Sequence, residues 1–441
     1  MRFSKYFLTL IFIAGSFLVR AQQKDTLLTL QQCLDIAIKN NLTVKQDSLT
    51  AQQAHIGLVQ AKDNLIPYIT GGANRTLSSG RALNPVTNNY ITQGVTSDNY
   101  NLQGSVTIFN GLALQNAIKQ ASLAYQSGKM AFQAAKDIVT VNVITNYLQV
   151  LDAGEILGQS KTQLAVAKEN VGIADTKEKY GANLTASTYS DFKGAYAASV
   201  VAVVQAQNAL DAAKLSLYNV LNIPFNKNAQ LEPLNAEQLK GDNGVNADDV
   251  YNTALQQLAQ VKAATLMRES AEKGVKYAKG LLYPQLALYS GINTNYSNLN
   301  SASYSDQFRN NYGTYFQLGL NIPIFTNHVK KNAVSLAKLN LLNFQYIEDN
   351  TKIVLKQNVD QAWYNMNAAY NRYQALLDES AAYTESYRVS KIRFDAGVIT
   401  SDLFLISKGN MDAANLNLIS ARYDYIIYSK ILDYYQGKLT Q

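Results

Sequence analysis

The chain has 441 residues, a formal net charge of +7, two histidines and one cysteine. A single thiol excludes an intrachain disulfide, and so few histidines and cysteines provide no metal-ligand cluster. Residues 1–21 hold three cations and no acid, so the charge of the remaining chain falls to +4. That small charge, without a dense run of Lys or Arg, argues against nucleic acid as a partner.

The first 21 residues are predicted to be a secretory signal peptide. Arg2 and Lys5 precede an apolar run from Tyr6 to Val19, and Ala21 closes a small-residue cleavage site. The run is too short and too close to the terminus for a spanning helix, and no later window of roughly eighteen apolar residues follows it. We therefore expect the mature chain to be exported without an inner-membrane anchor.

The spacing of the prolines leaves two long intervals for helices. No proline lies between Pro85 and Pro224, and none follows Pro323. Because proline breaks helix interiors, these intervals predict unusually long helices. A helix over residues 111–178 would be about 100 Å long at ~1.5 Å per residue, which is more than a globular domain needs.

The predicted helices also carry a seven-residue repeat. Examples are Tyr189, Tyr196, Val203 and Leu210 in one helix, and Phe404, Met411, Leu418 and Tyr425 in another. A strict seven-residue repeat indicates left-handed supercoiling of neighbouring helices. The core of an ordinary helical bundle would explain each of these repeats equally well. It would not account for the strand-like segments described next.

Short segments in each half have the two-residue period of strands, with one apolar and one polar face. In one of them Phe316, Leu318 and Leu320 alternate with Gln317 and Gly319. The segment lengths fit the ~9 to 11 residues of a tilted outer-membrane strand. Four such strands leave open edges, which lipid does not tolerate, and the smallest usual barrel has about eight strands. The chain must therefore oligomerise, and two or three copies would supply enough strands.

The whole pattern of segments occurs twice. The matching blocks are "AKDNLIP" (61–67) with "AKGLLYP" (278–284), "VTIFNG" (106–111) with "IPIFTN" (322–327), and "KYGANLTAS" (179–187) with "RFDAGVITS" (393–401). Their offsets stay between 214 and 217 residues. Matching blocks in the same order with a nearly constant offset indicate internal duplication.

The duplication sets the predicted organisation of the mature chain. Residues 22–223 form the first repeat, residues 224–246 form a linker with two prolines and two glycines, and residues 247–441 form the second repeat. The first repeat is predicted to have strands at about 67–76 and 100–109, a long helix over 111–178 and a helix over 185–222. The second is predicted to have strands at about 284–294 and 312–325, a long helix over 327–394 and a helix over 400–437.

Together these features resemble the TolC-like outer-membrane efflux proteins over essentially the whole mature chain. The resemblance rests on the duplication, the strands that begin at Pro67 and Pro284, the strand-to-helix junctions "IFNG" and "IFTN", and the turns "YGANLTAS" and "FDAGVITS". It implies an α+β membrane protein built from a duplicated helix–strand–strand–helix–helix unit. It also implies a homotrimer, whose twelve-stranded transmembrane β-barrel is continuous with a long periplasmic α-helical barrel.

The resemblance further implies a function and a location. A protein of this kind is the passive exit duct of a tripartite efflux system in the outer membrane of a Gram-negative bacterium. Its partners are outer-membrane lipid, a periplasmic adaptor (membrane fusion) protein and an inner-membrane pump of RND or ABC type, which supplies the energy. Two alternatives stay open at this point: the outer-membrane component of a type I protein secretion system, and a secreted coiled-coil structural or adhesive protein.

The two helix-reversing turns carry the candidate functional residues. Asn183 and Gly397 align there, at positions that need a left-handed backbone. By resemblance, these turns form the periplasmic tip that closes the pore and contacts the adaptor. The candidates for constriction and adaptor contact are Tyr180, Asn183, Asp191, Arg393, Asp395, Gly397 and Asp402. Three copies of one carboxylate near an axis repel one another and favour cations, whereas Asp402 also fits a solvated acid in the first turn of a helix.

The sequence shows no pattern of catalytic residues. It contains no G-x-G-x-x-G, G-x-S-x-G or H-E-x-x-H motif. His55 and His328 lie far apart in the sequence, and structural or surface roles explain both. We therefore expect no enzymatic activity, no cofactor and no metal.

Overall fold

A computed structural model describes residues 27–84, 87–179, 186–234 and 244–438. The predicted signal peptide lies outside these residues. The helices are α1 (Leu30–Asn40), α2 (Leu42–Asp63), α3 (Ala113–Lys179), α4 (Ala186–Leu221), α5 (Ala247–Gln257), α6 (Ala259–Gly280), α7 (Tyr304–Asn310), α8 (Val329–Asp395) and α9 (Ser401–Tyr435). The strands are β1 (Tyr68–Ser78), β2 (Arg81–Leu83), β3 (Tyr90–Thr92), β4 (Val95–Phe109), β5 (Gln285–Ser297) and β6 (Gly313–Asn321).

The long helices of the two repeats have matching lengths. Helices α3 and α8 have 67 residues each, while α4 has 36 and α9 has 35. All four begin and end within two residues of the predicted positions, because no proline interrupts them. Among the described residues, no helix combines the length and the apolar character that crossing a membrane requires.

The larger sheet is antiparallel and draws on both repeats. Its strand order is β1-β4-β5-β6, so the first and second repeats meet where β4 pairs with β5. Strand β1 pairs with β4 along its whole length, from Tyr68↔Ser105 to Ser78↔Val95. Among the described strands, β1 and β6 therefore each have one side without a strand partner.

The structure corrects the predicted extent of two strands. The fourth strand was predicted over 312–325, but β6 ends at Asn321; Pro323 follows, and proline has no N–H to donate to a ladder. The second strand was predicted to begin at about residue 100, but β4 begins at Val95 because its pairing with β1 continues to Ser78. The β2–β3 hairpin and helix α7 were not predicted from the sequence.

The register gives the larger sheet two unlike faces, because residues directly opposite one another in antiparallel strands share a face. Leu102 lies opposite Gly71 and Ile292, and Leu288 lies opposite Val106 and Leu318. The apolar residues of one face are Ile69, Leu102, Val106, Phe109, Leu286, Leu288, Ile292, Phe316, Leu318 and Leu320. The polar face consists of Thr70, Asn101, Gln103, Ser105, Tyr289, Asn293, Tyr315 and Gln317. Leu318 and Leu320 lie on the opposite face of β6 from Gln317, as predicted, and the other three strands alternate in the same way.

Both strand-to-helix junctions use a left-handed backbone at two consecutive residues. Gly111 and Leu112 have φ values of 64° and 65°, and Asn327 and His328 have φ values of 47° and 62°. The two pairs lie 216 residues apart, which is the offset of the duplication. A left-handed conformation costs a residue with a Cβ roughly 1–2 kcal/mol. Its presence at both junctions indicates that this turn belongs to the duplicated unit.

Two glycines permit a close backbone contact beside the first junction. A Cβ on Gly111 would lie 2.4 Å from the carbonyl oxygen of Gly280, and a Cβ on Gly280 would lie 2.8 Å from the carbonyl oxygen of Gly111. Neither distance is compatible with a side chain, so both positions require glycine. We call this contact, between the start of α3 and the end of α6, the glycine seam.

The described residues pack into two compact units, and each unit contains parts of both sequence repeats. One unit lies within 1–42, 136–250 and 359–441, and the other lies within 43–135 and 251–358. In the first unit the fully buried Tyr147 donates its hydroxyl to the carbonyl oxygens of Leu28 (3.1 Å) and Glu232 (2.7 Å). Trp363 Nε1 donates to the carbonyl oxygen of Val245 at 2.7 Å. These bonds tie Glu232 and Val245 of the predicted linker to α3 and α8.

The second unit contains the larger sheet and a buried charged network between α6 and α8. Glu348 accepts hydrogen bonds from Arg268 Nε (2.6 Å), Lys352 Nζ (2.7 Å) and Thr265 Oγ1 (3.1 Å). Burial opposes the ionisation of Glu348, but these donors hold its pKa below the usual range. Because the carboxylate has several donors, the network fixes α6 against α8 without leaving the charge unpaired.

The two faces of β6 make a direct prediction about substitutions. Leu320→Arg places a cation on the apolar face and should cost ~2–4 kcal/mol if that face lies at the bilayer midplane. Gln317→Arg, on the polar face of the same strand, should be tolerated. Urea titration of the two variants in lipid vesicles measures the difference. Greater destabilisation by Gln317→Arg than by Leu320→Arg would show that the two faces are assigned the wrong way round.

Candidate functional site

Four of the predicted site residues lie in the turn between α8 and α9 or in the helix ends that flank it: Arg393, Asp395, Gly397 and Asp402. Gly397 has φ of 72°, and its N–H donates to the carbonyl oxygen of Phe394 at 2.9 Å. The N–H of Val398 donates to the carbonyl oxygen of Arg393 at 2.8 Å. This pair of bonds is the Schellman motif, which ends a helix where a glycine takes the left-handed conformation. The left-handed backbone of Gly397 therefore accounts for the reversal of the chain between α8 and α9.

Asp191 and the start of α9 are brought together, although 210 residues separate them in the sequence. Ser401 Oγ, which is buried, donates to Asp191 Oδ2 at 2.9 Å and lies 3.4 Å from Thr188 Oγ1. This contact joins the N-terminal ends of α4 and α9. Asp191 thus has a structural partner, which the sequence did not indicate.

The other predicted charged residues of this turn are exposed. Arg393 and Asp395 lie in the last turn of α8, and Asp402 lies in the first turn of α9. A hydrogen bond from the Thr400 hydroxyl, aided by backbone N–H groups at the helix start, holds the pKa of Asp402 below its usual range. Asp402 is therefore ionised at neutral pH. Tyr180 and Asn183, which were predicted for the other turn, lie outside the described residues.

An aromatic cluster lies directly beneath the turn. Phe404 is buried and stacks on Phe394, with ring centroids 4.8 Å apart and ring planes inclined by 16°. Phe192 meets both rings edge-on at 5.8 Å and 6.3 Å, and Tyr387 lies 5.7 Å from Phe404. The cluster therefore joins α4, α8 and α9 behind the exposed residues. The seven-residue repeat placed Phe404 on the side of α9 that faces other helices, but a periodic pattern does not show which helices converge at one end.

A buried ion pair lies two helical turns farther along α9. Lys408, which is 7% exposed, binds Asp412 through its Nζ atom. Burial raises the pKa of Asp412, and the contact with Lys408 opposes that rise. The carbonyl oxygen of Asp412 also accepts a bond from Gln163 Nε2 of α3 at 3.4 Å. The hairpin end thus has an exposed charged turn, an aromatic layer and a buried ion pair in succession.

Comparisons with known proteins all find similarity to outer-membrane efflux proteins and channels. Residues 250–437 match the family model described as "Outer membrane efflux protein". The outer membrane efflux protein BepC of Brucella suis biovar 1 (strain 1330) is 22% identical over 412 residues, which cover 93% of this chain and 86% of that protein. Toxin and drug export protein A of Aggregatibacter actinomycetemcomitans is 21% identical over 428 residues, which cover 93% and 87%.

The fold agrees with the sequence comparisons. The crystal structure of the Campylobacter jejuni CmeC outer membrane channel matches with a TM-score of 0.77 and 19% identity, covering 93% of this chain and 86% of that one. The fold is therefore that of an outer-membrane channel. The resemblance of the chain to the TolC-like outer-membrane efflux proteins is therefore confirmed.

Two glycines give a matched test of the turn. An added Cβ meets nothing within 4 Å at either Gly397 or Gly409, so steric clash is absent from both. Gly397→Ala should destabilise the turn by roughly 1–2 kcal/mol through backbone strain alone. Gly409→Ala, inside α9, should stabilise its helix by roughly 0.5–1 kcal/mol. Hydrogen exchange of the amides flanking each site, read by mass spectrometry, measures both effects. Equal protection in the two variants would contradict the left-handed turn.

Proposed function

We propose that the chain is the outer-membrane exit duct of a tripartite efflux system. Substrates pass through it passively, because the chain itself supplies no energy. The observation that carries this proposal is a sheet with one apolar and one polar face whose strands lead into helices of 67 residues. A membrane-spanning sheet needs an apolar face toward lipid and a polar face toward water. The long helices then extend the path through the periplasm.

Closure of the sheet requires further copies of the chain. Strands β1 and β6 are the edges of the described sheet, and open edges are not tolerated in lipid. We propose that β6 of one copy pairs with β1 of the next, and that three copies close a barrel of about twelve strands, which lies within the usual range. The relatedness to TolC-like proteins favours three copies over two.

The helix turns are the proposed site of the pore constriction and of adaptor contact. Arg393, Asp395 and Asp402 present charge at the α8–α9 turn, where Gly397 reverses the chain. The aromatic layer beneath supports a fixed turn, which repeated docking of a periplasmic adaptor requires. Tyr180 and Asn183 enter the proposal through the alignment of the first turn with the second. An inner-membrane pump of RND or ABC type supplies the energy.

Protein secretion is the second candidate function. One relative is named toxin and drug export protein A, and a duct of this kind leaves the choice of cargo to the pump. Copurification of the crosslinked complex would distinguish the two functions by the class of pump that it contains. An ABC exporter alone would favour protein secretion, and an RND pump would favour small-molecule efflux.

The oligomeric state tests the barrel. Because each chain leaves two strand edges open, the detergent-extracted protein should have the mass of three copies by light scattering corrected for detergent. Disulfide crosslinking between cysteines placed at Thr70 on β1 and Gln317 on β6 should join different copies. A monodisperse monomer that still conducts ions in a planar bilayer would refute the proposed closure.

Single-channel recording tests the constriction. If Asp395 or Asp402 lines the axis, Asp395→Asn or Asp402→Asn should lower the preference for cations, because three copies lose a carboxylate at the narrowest point. Asp349→Asn is the matched control, since Asp349 is an exposed acid of α8 far from the turn in the sequence. Unchanged selectivity and conductance in both tip variants would exclude these acids from the constriction.

A further inference from the structure

Helix α7 lies in the connection between β5 and β6, and it packs on the sheet. Thr294 Oγ1 donates to the carbonyl oxygen of Phe308 at 2.7 Å. The hydroxyl groups of Tyr100 and Tyr304 are 2.7 Å apart, and the rings of Tyr296 and Tyr304 have centroids separated by 4.7 Å. The helix is therefore attached to β4 and β5 through its own side chains and backbone.

The register shows which face of the sheet α7 covers. Tyr100 lies opposite Thr294, one step along the same face from the pair Leu102 and Ile292. Tyr296 lies opposite Asp98, a further step along. Because alternate residues of a strand share a face, α7 packs on the continuation of the apolar face. It does not pack on the polar face.

A buried glutamine holds α7 in this position. Gln307 is 2% exposed; its Oε1 accepts from the N–H of Ser297 at 2.9 Å, and its Nε2 donates to the carbonyl oxygens of Ser297, Asn300 and Ala302 at 3.1, 3.3 and 2.9 Å. The helix start is capped by Ser303, which accepts from the N–H of Asp306 at 3.2 Å. Because both atoms of the Gln307 side-chain amide are hydrogen-bonded, the connection between β5 and β6 has a defined conformation.

The aromatic rings of α7 that pack on the sheet stay partly exposed, and the helix carries little net charge. Tyr304 and Phe308 remain 42% and 44% exposed, and Tyr312, which follows the helix, is 60% exposed. The nearby cations are paired, Arg75 with Asp98 and Arg309 with Asp306. Aromatic rings with polar tips are enriched where a membrane meets water. The composition therefore fits the boundary between lipid chains and headgroups.

An apolar depression lies on the same face of the sheet, next to the strand residues that α7 contacts. It has a volume of about 430 Å³ and lies on the apolar face, among Ile69, Leu102, Val106, Leu288, Ile292 and Phe316. The depression exists because Gly104 and Ser290, which lie opposite one another, are small and leave space above the backbone. A flexible apolar chain that descends from the level of α7 would fill this depression.

The position of α7 in the strand order argues against a second copy as the occupant. Helix α7 contacts β4 and β5, which are the two central strands of the described sheet. A neighbouring copy pairs at the edges, β1 and β6, and the centre of the outer face stays turned to the surroundings of the barrel.

From these observations we propose that α7, with Tyr100 and Tyr296, lies in the headgroup region of the outer membrane. It anchors the barrel at a fixed depth and holds a lipid whose acyl chain occupies the depression below it. This inference rests on the proposed function, because the apolar face must turn toward lipid. It adds a lipid-binding element on the outside of the duct, at the end of the strands farthest from the long helices.

Nitroxide accessibility tests the inference in the full chain, reconstituted in vesicles of phosphatidylcholine and phosphatidylglycerol. Spin labels are attached to Phe308→Cys and, in a second variant that spares the packed ring, to Arg309→Cys. Asn293→Cys on the polar face and Leu318→Cys on the apolar face are the matched controls. The unmodified protein is the blank, because its only cysteine, Cys33, is fully buried. Collision rates with oxygen and with a water-soluble nickel chelate are measured for each label.

The expected ratio of oxygen to nickel collisions is highest at Leu318, intermediate at Phe308 and Arg309, and lowest at Asn293. A ratio at Phe308 and Arg309 equal to that at Asn293, with Leu318 still high, would overturn the inference and leave the proposed function intact. Labels at both α7 positions that are shielded from both reagents would also overturn it, since protein would then cover the helix. A low ratio at Leu318 would reject the face assignment, and the proposed function would fail together with the inference.

Discussion

Every backbone N–H and C=O group that lies within a bilayer needs a partner inside the protein. In this chain the requirement is met across β1, β4, β5 and β6, where the pairing is continuous, and it is unmet at the two outer edges of that sheet. Other features follow from this constraint. The duplication supplies two strand pairs, and the register places apolar residues of all four strands on one face. In the proposed barrel, these open edges are the reason why several copies of the chain must assemble.

The candidate site differs from an active site because it depends on shape and charge rather than on reactive groups. Its residues do three separate tasks. Gly397 reverses the backbone, Phe394 and Phe404 hold the helix ends together, and the exposed acids present charge. The proposed duct needs little more, since an inner-membrane pump would supply the energy and choose the cargo. The Asp191–Ser401 contact belongs to the second of these tasks, because it fixes α4 to α9.

The sequence predicted those features that depend on local periodicity or on single special residues. Alternation along β6 separated Leu318 from Gln317 because a strand has a period of two, and the long helices followed from the absence of proline. Features that depend on contacts distant in the sequence were missed. Gln307 is an ordinary residue in a polar loop, and its hydrogen bonds become visible only when that loop is folded. The convergence of Phe192 on Phe404 likewise needs the helices to be placed in space.

The glycine seam has a consequence for the symmetry of a closed ring. Its counterparts in the duplication are Asn327 for Gly111 and Asp63 for Gly280, and both carry side chains. In the proposed ring of three copies, Asn327 of one copy would lie near Asp63 of the next. The close glycine contact would then recur only inside each chain, with side chains at the equivalent positions between chains. The ring would therefore have threefold and not sixfold symmetry at this level.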